Sequence, residues 1–285
     1  METATIEDPA GVEAALLSHL LVPPPAPASL QPGPVADLRD SMARFSGSDT
    51  HAARRSVLDA LVDQIEDHAF AAEGHRRTVA IIEGSAPAQG LDGLADIGFV
   101  VPVEVVSSAL GVTGEVLADV RGEVRSVAEV IGRQQPSTPT ADEAAARLLR
   151  RFDAMGVDSI GAVSLLYQTH DATAALFASA LVCEQTGTMR RSAISATGRT
   201  ATAPVTIGGL ELGVGDSVVL DLERSRFEFG LGHHRCPGRQ IAERIVSGMI
   251  HAVSSAGVRV DTDAIERHND GRPRTLPINF GDDQT

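Results

Sequence analysis

The sequence predicts a mainly α-helical fold with a small β portion. Three observations carry this. Apolar residues recur at helical spacing through most of the 285 residues. One stretch, 203–221, instead sets Val, Ile and Leu runs between Gly-Gly and Gly-Asp turn signals. No internal repeat is present, which excludes solenoids and propellers.

Taken in order, residues 5–21 read as an amphipathic helix with Ile6, Val12, Ala15, Leu16, Leu20 and Leu21 on its apolar face. The proline-rich run 22–34 ends it as an extended linker, since proline cannot continue a helix. Val57, Leu58, Leu61, Val62 and Ile65 predict a helix over 50–67. An apolar segment follows at 93–110 and continues helically over 110–120. The loop 132–143 ends in a helix cap, with Thr140 or Asp142 as candidates. The longest helix is expected over 156–184, apolar on most faces and therefore buried. Residues 203–221 form a small hairpin, and a helix from Gly238 to Ser255 precedes a late strand at GVRVDTD.

Composition removes several function classes. The chain is 43% hydrophobic, too apolar for a disordered protein. Its 24 basic residues, all arginine, face 38 acids, a formal net charge of −14 that repels phosphate backbones and argues against nucleic acid as a partner. The absence of lysine suggests a GC-rich source genome. Two cysteines, Cys183 and Cys236, cannot make a disulfide framework. No apolar run approaches the ~20 residues that span a bilayer, and the acidic start lacks a leader's basic and apolar regions. The expectation is a cytoplasmic protein with no membrane contact, its 285 residues forming a single domain with 1–34 as N-terminal helix and linker and 35–285 as core.

The chemistry concentrates in FEFGLGHHRCPGRQIA, residues 227–242. Three glycines surround one cysteine just before a helix. Glycine admits backbone shapes closed to other residues and lets a flat ligand come close. A cysteine near a helix N-terminus is biased toward thiolate, and a thiolate on a glycine shelf suits haem iron as an axial ligand.

This stretch resembles the haem-binding signature of the cytochrome P450 family, F-x-x-G-x-[RH]-x-C-x-G. Phe229, Gly232, His234, Cys236 and Gly238 match every fixed position, and Gly230 lies inside it. DTHAARR (49–55) resembles the family's H-x-x-x-R helix through His51 and Arg55, and ATGRTA (196–201) its arginine-bearing strand through Arg199. The resemblance implies a bacterial haem-thiolate monooxygenase. Cys236 would ligate the iron, and His51, Arg55, Arg199 and His234 would hold the haem propionates. Arginine pairs with such carboxylates bidentately.

LLYQTHDATAALF (165–177) resembles the family's distal helix, A-G-x-[DE]-T-T. Asp171 keeps the acid and Thr173 the second alcohol, so both are candidates for proton delivery. Ala172 replaces the first alcohol, and Thr169 the glycine. The family's E-x-x-R pair is absent: Gly187 stands where Arg would follow Glu184. The chain is short for the family, with only a brief segment between Asp171 and Arg199, and the N-terminal sheet region is expected to be missing.

The implied partners are a small organic substrate and a ferredoxin-type electron donor, or peroxide in the donor's place. Arg190, Arg191, Arg235, Arg239 and Arg244 could dock an acidic donor. The alternative is a degenerate relative that binds haem or helps a biosynthetic enzyme without turnover.

Overall fold

The computed structural model describes residues 4–85, 90–133, 135–189, 192–267 and 273–280. In the first part of the chain come β1 (Ala4–Ile6), α1 (Pro9–Leu17), β2 (Leu21–Val22), α2 (Pro34–Ser41), α3 (Ser48–Ile65), α4 (Phe70–Gly84) and β3 (Leu91–Asp92). The middle is helical: α5 (Val101–Ala109), α6 (Val116–Arg133), α7 (Pro139–Ala154) and α8 (Ser159–Thr186). Then follow β4 (Ala196–Ala201), β5 (Val205–Ile207), β6 (Leu210–Leu212), β7 (Ser217–Asp221), α9 (Leu222–Ser225), α10 (Arg239–Ser255), β8 (Val258–Val260) and β9 (Pro277–Phe280). The fold is mainly α with a small β portion, as the apolar spacing predicts.

The chain divides into two units. The first comprises 1–64, 123–165 and 194–237. Its centre is a four-stranded sheet in the order β1-β7-β4-β2. Strand β7 pairs in parallel with β1 (Ile6 opposite Leu220) and antiparallel with β4 (Arg199 opposite Val218). Ile6, Val12, Leu16, Leu21, Val218 and Leu220 bury together against it.

Here the expected helix over 5–21 is corrected, and so is the expected loss of N-terminal sheet. Asp8 caps α1, accepting from the Gly11 N–H at 2.7 Å, and Pro9 fills the first turn, so the helix cannot extend back to Ile6. Ile6 and Leu21 enter the sheet instead. The proline-rich run is extended as expected but packed: Pro23 is buried, and the Pro24 carbonyl accepts from Arg39 Nη2 at 3.2 Å.

The cap of α7 is Thr138, whose hydroxyl accepts from the Ala141 N–H at 3.2 Å, with Pro139 next. This corrects the choice of Thr140 or Asp142. Asp142 instead reaches α2, accepting from the Val35 N–H at 3.1 Å and satisfying an orphan donor there. The 203–221 stretch also divides differently. Strands β5 and β6 make the hairpin, while β7 leaves it to pair with β4.

The second unit comprises 65–122, 166–193 and 238–285. Helix α4, not anticipated from spacing, packs against α10, and a three-stranded sheet runs β3-β9-β8. The apolar segment 93–110 is a π-helical turn, Gly93–Gly98, followed by α5. The helix expected over 110–120 starts only at Val116, after a turn through Gly111 and Gly114 at positive φ.

Helices α4 and α10 approach backbone to backbone at Gly74 and Gly248. A Cβ added at Gly248 would lie 2.0 Å from the Ala71 carbonyl oxygen. Gly248→Ala is therefore expected to destabilise the protein by about 1–2 kcal/mol, overpacking of up to ~3 kcal/mol outweighing the ~1 kcal/mol of helix propensity gained. Urea melts read this directly, and an unchanged midpoint would refute the close crossing.

Candidate functional site

The cysteine loop belongs to the first unit. Phe229 starts it, and the Cys236 N–H returns to the Phe229 carbonyl at 2.7 Å, closing the loop. Gly230 (φ 67°) and Gly232 (φ 65°) sit in the left-handed region. A Cβ at Gly232 would also stand 3.0 Å from Leu17 Cδ2 of α1. Both positions therefore require glycine, as the motif implies. Cys236 is exposed and makes no disulfide.

Imidazoles gather beside the loop. His234 lies 4.1 Å from His51 of α3, centroid to centroid, and 4.6 Å from His233. His233 stacks on His19 at 4.7 Å and 11°. His51 is buried, and Arg55, one helical turn on, donates from Nη1 to the His233 carbonyl at 3.2 Å and the Arg235 carbonyl at 2.7 Å. Its Nε pairs with Asp59 at 2.7 Å. Arg55 thus clamps the loop backbone, a contact that no sequence pattern reveals.

Arg199 is 7% exposed. Its Nη1 donates to Thr197 Oγ1 at 3.0 Å and to the Gly198 carbonyl at 2.7 Å. Among the described residues no carboxylate pairs with it. Burial, then the charge of Arg44, lower its pKa to about 10. His234 is lowered to about 3, by burial first and then by His51, Arg199, His233 and Arg55. Burial is also the main cause lowering His51 and His233.

The cluster is short of negative charge, and this sets a pH dependence. These imidazoles refuse protons in the fold that the unfolded chain accepts below about 6.5, so stability falls as pH drops from there toward about 3. Each contributes at most ~1.4 kcal/mol per pH unit, less for the more exposed His233. Thermal melts of the haem-free protein are expected to show a midpoint falling between pH 7 and 5, and the double variant His51→Gln/His234→Gln a flatter curve. An identical slope in that variant would rule the cluster out as the cause.

The predicted distal residues lie on α8 in the second unit. Thr173 is buried and Asp171 exposed. Asp171 Oδ1 lies 2.7 Å from His170 Nδ1, a partner that motif matching passes over. Gly238 caps α10. Glu184 accepts from Ser254 Oγ at 2.7 Å, and no arginine among the described residues pairs with it. Of the suggested docking arginines, Arg239 pairs with Glu243 at 3.0 Å and Arg244 donates to the Glu66 carbonyl at 3.1 Å. Arg190 and Arg191 lie outside the described residues.

Of the residues the sequence points to, His51, Arg55, Arg199, Phe229, Gly230, Gly232, His234 and Cys236 all lie in the first unit. The sequence pattern misses His19, His233 and Arg44, which carry no motif signal. Among the described residues no group of three or more His, Cys, Asp or Glu side chains could hold a metal ion by themselves. No described helix is long and apolar enough to cross a membrane.

No protein-family model matches the chain, and no curated protein sequence matches it. Solved structures do. P450BioI, determined in complex with an acyl carrier protein ligated with hexadec-9Z-enoic acid, is 16% identical with a TM-score of 0.74, covering 94% of this chain and 90% of that one. CalO2 is 14% identical with a TM-score of 0.75, covering 97% and 89%. Ligand-free CYP105P1 is 20% identical with a TM-score of 0.69, covering 96% and 89%. The chain has the cytochrome P450 fold.

Proposed function

We propose that the chain is a haem-thiolate oxidoreductase of the cytochrome P450 monooxygenase type, acting on a small organic substrate. The observation that carries this is Arg199, a buried cation with no carboxylate partner among the described residues. It shares a unit with an exposed thiol and with imidazoles whose pKa values burial and neighbouring cations depress. Haem brings one iron for the thiol and two carboxylates for the cations, so the residues fit the group.

Cys236 would hold the iron through its sulfur. Arg199, His51, His234 and Arg55 would hold the propionates, and the Phe229–Gly238 loop, through Gly230 and Gly232, would let the ring lie close. Bound haem supplies the redox chemistry that activates oxygen or peroxide. Asp171 and Thr173 would hold and pass protons on α8. Electrons would come from a ferredoxin-type donor, with peroxide as the substitute that Ala172 favours. The acyl carrier protein in the P450BioI structure makes a carrier-tethered substrate worth testing beside free ones. We place the protein in a bacterial cytoplasm, its 285 residues acting as one haem-thiolate domain.

The ferrous carbonyl difference spectrum tests the reading, with one haem per chain and a thiolate red shift expected. A second reading, a non-catalytic haem-binding or helper protein, is favoured by Ala172 and by a Glu184 bound to Ser254 instead of an arginine. Pure protein that stays colourless after haem supplementation would support the helper role.

A further inference from the structure

Helix α8 carries an imidazole held on several sides. His170 is 5% exposed. Its ring lies on Phe99 at 4.9 Å and 18°. Phe99 is delivered by the π-helical turn Gly93–Gly98. Gly98 itself lies close enough to α8 that a Cβ there would stand 3.4 Å from the Cβ of Ala174. π-Helical turns cost hydrogen-bond geometry and recur where a side chain must be re-aimed.

His170 Nδ1 lies 2.7 Å from Asp171 Oδ1. A carboxylate accepts only, so Nδ1 carries the hydrogen. Nε2, on the other side of the ring, is buried and has no hydrogen-bond partner among the described residues. Adjacent residues of a helix do not ordinarily face one another, so this contact needs one ring fixed beforehand. The stack on Phe99 fixes it. An exposed carboxylate that would otherwise change rotamer freely receives a donor that has already lost its own freedom.

We propose that His170 is a positioning residue: its Nδ1–H holds the Asp171 carboxylate in one orientation, giving α8 a proton-handling acid that works without the alcohol missing at Ala172. The consequence for turnover rests on the haem-thiolate reading, while the pair itself stands on the geometry above.

Two measurements test it. In 15N-histidine NMR of the full-length protein, His170 is expected in the Nδ1–H form, and D171N should return it to the usual mixture of tautomers. In haem-loaded protein, the readout is the fraction of donor electrons recovered as hydrogen peroxide, each peroxide taking one dioxygen, two electrons and two protons. H170F, which keeps an aromatic ring against Phe99 but loses the N–H, is expected to raise that fraction several-fold, to the level of D171N. The double variant should go no higher. H170N, whose amide restores an N–H, should return to within about twofold of the unsubstituted protein. If H170F does not fold, H170M serves in its place. An Nε2–H tautomer at His170, or a wild-type peroxide fraction in the variant lacking the N–H, overturns the proposal. Loss of the thiolate carbonyl band in the unsubstituted protein would sink the haem reading alone, leaving the NMR result to decide the pair.

Discussion

Cys236→Ser is expected to abolish the red-shifted ferrous carbonyl band and to lower oxygen insertion by more than about 100-fold. That figure is the upper range for losing an outer partner of a metal ligand, and here the ligand itself is lost. The substitution isolates the sulfur. The bond closing the loop, from the residue 236 N–H to the Phe229 carbonyl at 2.7 Å, is backbone and survives. So do the positive-φ turns at Gly230 and Gly232 and the Arg55 clamp on the carbonyls of residues 233 and 235. Serine offers an oxygen of similar size that donates far less electron density to iron. Haem uptake is expected to persist at reduced occupancy, because the cations holding its carboxylates are untouched. A band identical in the variant and the parent would remove Cys236 from the site.

Arg199→Met is expected to act with opposite signs on the two states of the protein. In the haem-free chain the guanidinium is buried with no carboxylate partner among the described residues, and burial lowers its pKa to about 10. A folded-state pKa below the unfolded one means the charge is a burden wherever it is carried. The burden is full below about pH 10 and is relieved only as pH rises beyond it. At neutral pH it amounts to about 3 kcal/mol. Methionine relieves it but gives up the bonds to Thr197 Oγ1 and the Gly198 carbonyl, worth about 1 kcal/mol each. The haem-free variant should therefore be as stable as the parent or about 1–2 kcal/mol more so. Haem retention should weaken by about 10–100-fold, the worth of one charge-assisted pair. Chemical denaturation of the haem-free protein and haem transfer to apomyoglobin measure the two arms. A variant that loses stability and keeps its haem would show Arg199 to be a structural cation.

The cysteine loop was legible because its requirements are local. Gly230 and Gly232 are demanded by positive φ, the thiol by its chemistry, and all lie within a dozen residues. His51, Arg55 and Arg199 were legible only through family spacing, and their neighbours were not. His19 stacks on His233 across more than two hundred positions, and Arg44 acts on Arg199 through its charge, with no motif behind either. Apolar spacing predicts too long a first helix because Ile6 and Leu21 fit a helical stripe and a strand of sheet equally well. Asp8 and Pro9 carried the deciding signal, and it lies in the cap rather than in the periodicity.

Taken alone, the order of residues determined the helical class, the place of the thiol and the residue types around it. These follow from short-range steric and hydrogen-bonding rules that act within a few positions. Tertiary structure decided which strands pair, that Arg199 is buried with no carboxylate beside it among the described residues, that Arg55 clamps the loop and that His170 faces Asp171 from a ring pinned by Phe99. Burial and electrostatic neighbourhood are properties of what the chain brings together across long separations, and no local pattern encodes them.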